Sequence, residues 1–130
     1  MTDHNLIKEA AVARERAWAP YSRFRVGAAL LAADGSVHTG CNVEDASYGL
    51  TMCAERVALY NAVSRGHRAF TALAVVADAP CPVSPCGACR QAYMGFAPDL
   101  RVVMANLAGQ VTRATLAELL PSAFLLPDGH

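Results

Sequence analysis

Long apolar runs are missing from this chain. No stretch approaches the roughly 20 apolar residues that a membrane-spanning helix needs. Met1 to Lys8 is polar and has no apolar h-region of the kind that marks a secretory signal. Both absences point to a cytoplasmic protein with no membrane partner. A surplus of charge is missing too, since 11 Lys and Arg balance 11 Asp and Glu. Nearly all the basic residues are arginines, and they are scattered. Electrostatic binding to nucleic acid needs a basic stripe or patch, so nucleic acid is not an expected partner. Internal repeats, linkers and low-complexity segments are also absent. The 130 residues therefore read as one domain, 1–130. Charged residues make up only 17 % of the chain against 54 % hydrophobic. That leaves more apolar surface than a small monomer hides easily, and it points to a homo-oligomer.

Local patterns give an alternating order of elements. Leu6, Ala10, Ala13, Ala17 and Trp18 recur at helical spacing, and Pro20 stops that helix. Arg25–Ala33 and Val37–Val43 read as strands joined by the tight turn Asp34-Gly35. Thr51–Ser64 reads as a helix stopped by Gly66. Phe70–Ala77 is continuously apolar, as in a strand covered on both faces. Ser84-Pro85 suits a helix start, with the helix running from Cys86 to about Gly95. Strands are expected at Arg101–Ala105 and Val111–Arg113, then a last helical turn at Leu116–Leu120. The order α-β-β-α-β-α-β-β predicts an α/β fold, a three-layer α/β/α sandwich with a mixed five-stranded sheet. His38 and His67 fall in a hairpin and a turn and read as surface residues.

Five cysteines in such a chain read as metal ligands or free thiols rather than disulfides. Two clusters stand out: Cys53-Ala54-Glu55, and Pro85-Cys86-Gly87-Ala88-Cys89. Cys86 and Cys89 are three apart, so a helix presents both on one side. Cys53 starts the preceding helix. Helix N-termini favour thiolates through free N–H groups and the dipole. Three thiolates can hold one zinc ion and leave a fourth position open, the arrangement of a catalytic rather than a structural site. Glu55, two residues from Cys53, is placed to move protons for a water activated there. Three thiolates overbalance a divalent cation, and Arg56 is a candidate to offset the excess through hydrogen bonds to sulfur. Other readings exist. The Cys86/Cys89 pair alone suits redox chemistry, and Cys41 or Cys81 as a fourth ligand would make a closed structural zinc module. Elsewhere, Asn42 and Glu44 have the donors and acceptors to meet vicinal hydroxyls. Phe24 offers a flat wall for a ring.

The glutamate two residues after a first ligand, with a later Pro-Cys-x-x-Cys, is the signature of zinc deaminases. Over nearly its full length the chain resembles the small homotetrameric cytidine deaminases. The resemblance is carried by Pro20-Tyr21-Ser22-Arg23-Phe24-Arg25-Val26-Gly27-Ala28-Ala29, Gly40-Cys41-Asn42-Val43-Glu44, Tyr48 through Arg56, Pro85 through Gln91, and Glu118 through Phe124. It implies hydrolytic deamination of cytidine and 2′-deoxycytidine in pyrimidine salvage, with one zinc per subunit. It implies zinc at Cys53, Cys86 and Cys89 and a proton shuttle at Glu55. Asn42 and Glu44 would meet the ribose, Phe24 the pyrimidine, and the Ala54 N–H the base carbonyl. Phe124 would close a neighbouring subunit's pocket, and Tyr48 would lie near a subunit boundary. The family usually has Asn where this chain has Asp45, which accepts hydrogen bonds but donates none. Another small aminopyrimidine remains an alternative substrate.

Overall fold

Strand β3 (Phe70–Ala77) is buried at all but one position, and the other elements assemble around it. A computed structural model describes residues 1–130. Strands β1 (Val26–Ala32), β2 (Val37–Cys41), β4 (Arg101–Asn106) and β5 (Val111–Thr115) complete a five-stranded sheet of order β2-β1-β3-β4-β5. Only the β3–β4 pair is parallel, so the sheet is mixed. Helices α1 (Asp3–Arg14), α2 (Ala54–Ser64), α3 (Gly87–Met94) and α4 (Leu116–Leu119) complete the chain.

The period-two alternation of the strands divides the core in two. Ala29, Ala72, Ala74, Val76, Val103 and Ala105 face α1 through Leu6 and Ala10. Ala28, Leu30, Leu73, Val75, Val102 and Met104 face Ala54, Ala58 and Leu59 of α2 and Tyr93 and Met94 of α3. The three-layer expectation therefore holds, with α1 alone on one face. The α1 face is rich in alanine, which lets the helix lie close. At Gly27 a Cβ would fall 2.0 Å from the Ala10 carbonyl oxygen.

Gly40 does the same on the other face. A Cβ there would sit 2.4 Å from the Ala58 nitrogen and 2.5 Å from the Ala54 oxygen, both backbone atoms of α2. Backbone cannot swing aside as a side chain can. Gly40→Ala is therefore expected to cost about 1–3 kcal/mol or more through overpacking. Urea unfolding checks this, and an unchanged midpoint would contradict it.

Several boundaries differ from the sequence expectation. Helix α1 stops at Arg14, so Ala17 and Trp18 are not helical. Trp18 instead pairs with the segment after β2, its N–H donating to Asn42 O and its carbonyl accepting from Glu44 N–H. Thr51 and Met52 are not helical either. Met52 bridges Val43, so α2 starts only at Ala54. The N-cap of α3 is Cys86 rather than Ser84. β5 runs two residues further than expected and hands over to α4 through a capping box of Thr115 and Glu118. His38 is buried, not on the surface, and its ring lies 4.4 Å from that of His67. No helix is long and apolar enough to cross a membrane.

Candidate active site

Two helix starts bring the cysteines together. Cys53 is the N-cap of α2, Cys86 the N-cap of α3, and Cys89 lies in the first turn of α3. Neither cap uses its side chain on its own helix, so the thiols are free for other work. The Cys53 and Cys86 sulfurs are 3.7 Å apart and those of Cys86 and Cys89 3.5 Å apart. All three sulfurs lie within 4.8 Å of one another. Cys41 and Cys81 stand outside this group, so no fourth cysteine closes it.

The thiols and their neighbours are strongly coupled electrostatically. A hydrogen bond from Cys89 holds the Cys53 thiol down to about 5, helped by Arg56. The same pairing, with burial, pushes the Cys89 thiol far up. The two thiols are thus driven apart, Cys53 towards the thiolate and Cys89 away from it. Arg56 Nη2 donates to Cys53 Sγ at 3.6 Å. Its Nε is buried with no partner in the chain.

Glu55 is 5 % exposed, one residue into α2. Burial raises its carboxyl to about 7, and the neighbouring Cys53 thiolate adds to the rise. Tyr93, buried in α3, donates its hydroxyl to the Glu55 carbonyl at 2.6 Å and so ties the two helices together behind the site. A cavity of about 300 Å³ opens in front of these groups. Its wall includes Cys53, Ala54, Glu55 and Cys86, the apolar Phe24 and Val26, and the polar Ser22, Asn42 and Glu44. As the first helical residue, Ala54 has a backbone N–H with no acceptor inside its own helix. A second cavity of about 370 Å³ continues past Glu44, walled by Tyr21, Asp45, Tyr48 and Thr51.

Asn42 and Glu44 are more heavily engaged than a polar strand end would be. Asn42 Nδ2 donates to Phe24 O and its Oδ1 accepts from Val26 N–H, both at 2.8 Å. Glu44 accepts from the backbone N–H of Tyr21 and of Ser22, and from the Ser22 hydroxyl. Asp45 Oδ1 accepts from Ser47 N–H at 2.8 Å, a bond that needs no donor from the side chain. The exchange of Asn for Asp therefore leaves this loop contact intact.

Phe124 lines neither cavity. It is 71 % exposed, while its carbonyl accepts from Gln91 Nε2 at 2.7 Å. Tyr48 is 78 % exposed.

Comparison with known proteins decides the family. Residues 1–105 match the model of the cytidine and deoxycytidylate deaminase zinc-binding region. A cytidine deaminase of Halalkalibacterium halodurans is 58 % identical over 124 residues, 95 % of this chain and 94 % of that protein. A cytidine deaminase of Sporosarcina psychrophila is 53 % identical over 129 residues, 98 % of this chain and 95 % of that protein. The chain belongs to the cytidine deaminase family. The crystal structure of cytidine deaminase from Burkholderia pseudomallei superposes with a TM-score of 0.93 at 53 % identity, covering 95 % of this chain and all of that one. Zinc is the cofactor of this cytidine deaminase fold, and the cluster of three cysteine sulfurs has the soft donors and open side that a catalytic zinc site requires.

Sequence reasoning left out four residues of this deaminase site. Ser22 and Thr51 line both cavities. Tyr93 holds the Glu55 backbone. Arg90 braces the cysteine loop, donating to Pro85 O at 2.7 Å and Leu119 O at 2.6 Å. Arg90 stands inside a motif that was noticed. Tyr93 gave no signal, because a buried aromatic in an apolar helix face looks like ordinary core.

Proposed function

We propose that the chain hydrolyses cytidine and 2′-deoxycytidine to uridine and 2′-deoxyuridine, releasing ammonia. One observation carries the reading: the buried Glu55 carboxyl, raised to about 7 by burial, shares one cavity with a three-cysteine cluster, an aromatic wall and the polar residues Asn42 and Glu44. Cys53, Cys86 and Cys89 hold the zinc, which when bound lowers the pKa of a water into the neutral range. Glu55 takes a proton from the attacking water and delivers it to N3 of the pyrimidine. The water oxygen adds to C4. Glu55 then carries the remaining proton of that oxygen to the amino group, the C4–N bond breaks as the C4=O bond forms, and ammonia leaves. Arg56 offsets the excess negative charge of the three thiolates. Phe24 packs against the ring, the Ala54 N–H meets the base carbonyl, and Asn42 and Glu44 meet the ribose.

The matched family includes nucleoside and nucleotide enzymes. A nucleoside is favoured here, because neither cavity has a Lys or Arg in its wall. Glu44 also carries negative charge where a phosphate would need a cation. Trp18, Tyr48, Leu50 and Phe124 are exposed around this region. That apolar surface supports a homotetramer whose subunits complete one another's pockets, with Tyr48 and Phe124 at the boundaries. The chain works as one domain, 1–130, in the cytoplasm.

The test is a substrate panel with the purified zinc protein, following ammonia release and ultraviolet absorbance. Cytidine and 2′-deoxycytidine are expected to turn over well, and free cytosine and deoxycytidylate poorly. A preference for the nucleotide or the free base would overturn the assignment.

A further inference from the structure

Ser22 links two residues of the cavity wall, Phe24 and Glu44. Its hydroxyl oxygen accepts from the Phe24 backbone N–H at 3.0 Å. The same hydroxyl donates to Glu44 Oε2. The direction of this chain is settled by chemistry. A carboxylate has no proton to give, and the Phe24 N–H can only donate, so the single Ser22 proton must point to Glu44. Donors in series polarise one another, so each bond strengthens its neighbour.

Both anchors are tightly held. Glu44 Oε1 accepts from Tyr21 N–H at 3.0 Å and Ser22 N–H at 3.1 Å. A carboxylate offers about four acceptor sites, so with the Ser22 hydroxyl in place about one remains for an incoming hydroxyl. The Phe24 carbonyl is fixed from the other side by Asn42 Nδ2. Between Ser22 and Phe24 sits Arg23 with φ +60°, a left-handed conformation that non-glycine residues rarely adopt. The turn that aims Phe24 is therefore one the backbone would not choose alone. Hydrogen bonding from Ser22 also keeps Glu44 below the usual carboxylate range.

We propose that Ser22 is a positioning residue that couples recognition of a ribose hydroxyl at Glu44 to packing of the base at Phe24. The coupling rests on the reading above, in which Glu44 meets the sugar and Phe24 the base. A hydroxyl donating to the last free site of Glu44 orders the carboxylate. The carboxylate orders the Ser22 hydroxyl, and that hydroxyl fixes the backbone of Phe24. Ser22 need not touch the reacting atoms.

The experiment is a mutant-by-substrate cycle. Wild type, Ser22→Ala and Ser22→Thr are each assayed with cytidine and with 2′,3′-dideoxycytidine, which lacks the vicinal 2′- and 3′-hydroxyls and keeps the 5′-hydroxyl. Ser22→Ala is expected to raise KM for cytidine about tenfold, the worth of one hydrogen bond to a charged group, with kcat little changed. With dideoxycytidine the penalty is expected to shrink below about threefold, because the substrate no longer engages Glu44. Ser22→Thr keeps the hydroxyl and is expected to restore the cytidine KM. A merely structural role would penalise both substrates alike. Equal penalties, a loss confined to kcat, or no rescue by threonine overturns the coupling. If wild type itself handles the two substrates equally well, the ribose reading fails and the coupling falls with it. The wild-type comparison thus separates the two failures. Ser22 is exposed, and thermal unfolding of each variant checks that the fold is retained.

Discussion

Glu55→Gln is expected to lower kcat by roughly 10²–10⁴-fold, the usual contribution of a positioned acid–base group. The amide has the shape of the acid but cannot carry a proton between water and ring. Zinc content should stay near that of wild type, since Glu55 is not among the three clustered ligands. Steady-state kinetics with metal analysis on the same sample checks both. A variant with zinc and near-normal turnover would remove Glu55 from its role.

The same substitution has a second expected effect, on stability. Burial raises the Glu55 carboxyl to about 7 from 4.5. A raised folded-state pKa favours the fold below the unfolded value, and that contribution is lost as pH rises through the folded value. In metal-free protein the loss spans about pH 4.5 to 7 and is on the order of 3 kcal/mol. Gln carries no charge at any pH. Metal-free Glu55→Gln should therefore be more stable than metal-free wild type at pH 8, with the gap closing towards pH 5. The difference between variants matters here, because the depressed Cys53 thiol gives wild type an opposite trend. Denaturant unfolding across pH checks the sign. A carboxyl that is costly to keep charged inside the fold fits the general trade of stability for activity.

What could be read from the residues alone divides by range. β3 was legible to the residue, because a Val- and Ala-rich run between a glycine turn and a proline loop has few other uses. The cysteines and Glu55 were legible because their spacing has chemical meaning. The start of α2 was not. Thr51 and Met52 look helical by composition, yet Met52 pairs with Val43 across the chain, a contact no local pattern reports. Trp18 was misread for the same reason, since its hydrogen bonds go to Asn42 and Glu44. His38 looked like a hairpin surface residue, but His67 from the turn after α2 covers it. The site follows this rule. The candidate ligand-facing residues were visible from their type, whereas the groups that hold them act through long-range bonds, the Ser22 hydroxyl to Glu44 and the Tyr93 hydroxyl to the Glu55 backbone.

Removing zinc is expected to abolish activity and to lower stability. The three sulfurs are close enough to repel as thiolates. Pairing lowers the Cys53 thiol and, with burial, raises that of Cys89, so a proton favours Cys89 over Cys53. A metal displaces that proton, so binding should release protons and weaken as pH falls. Because zinc binds the folded state, saturating it at about 1,000 times its Kd stabilises the protein by roughly 4 kcal/mol, and a chelator removes that amount. Arg56 should tune the affinity. Its hydrogen bond to Cys53 Sγ brings a positive charge to the cluster, and Gln in its place would leave the excess of three thiolates unbalanced. Arg56→Gln is therefore expected to weaken zinc binding about 10–100-fold, the range for ligand-supporting residues. Competition with a chromogenic chelator measures it directly, whatever the variant's activity. Unchanged affinity would mean that the two helix N-termini alone hold the thiolates in their charged form.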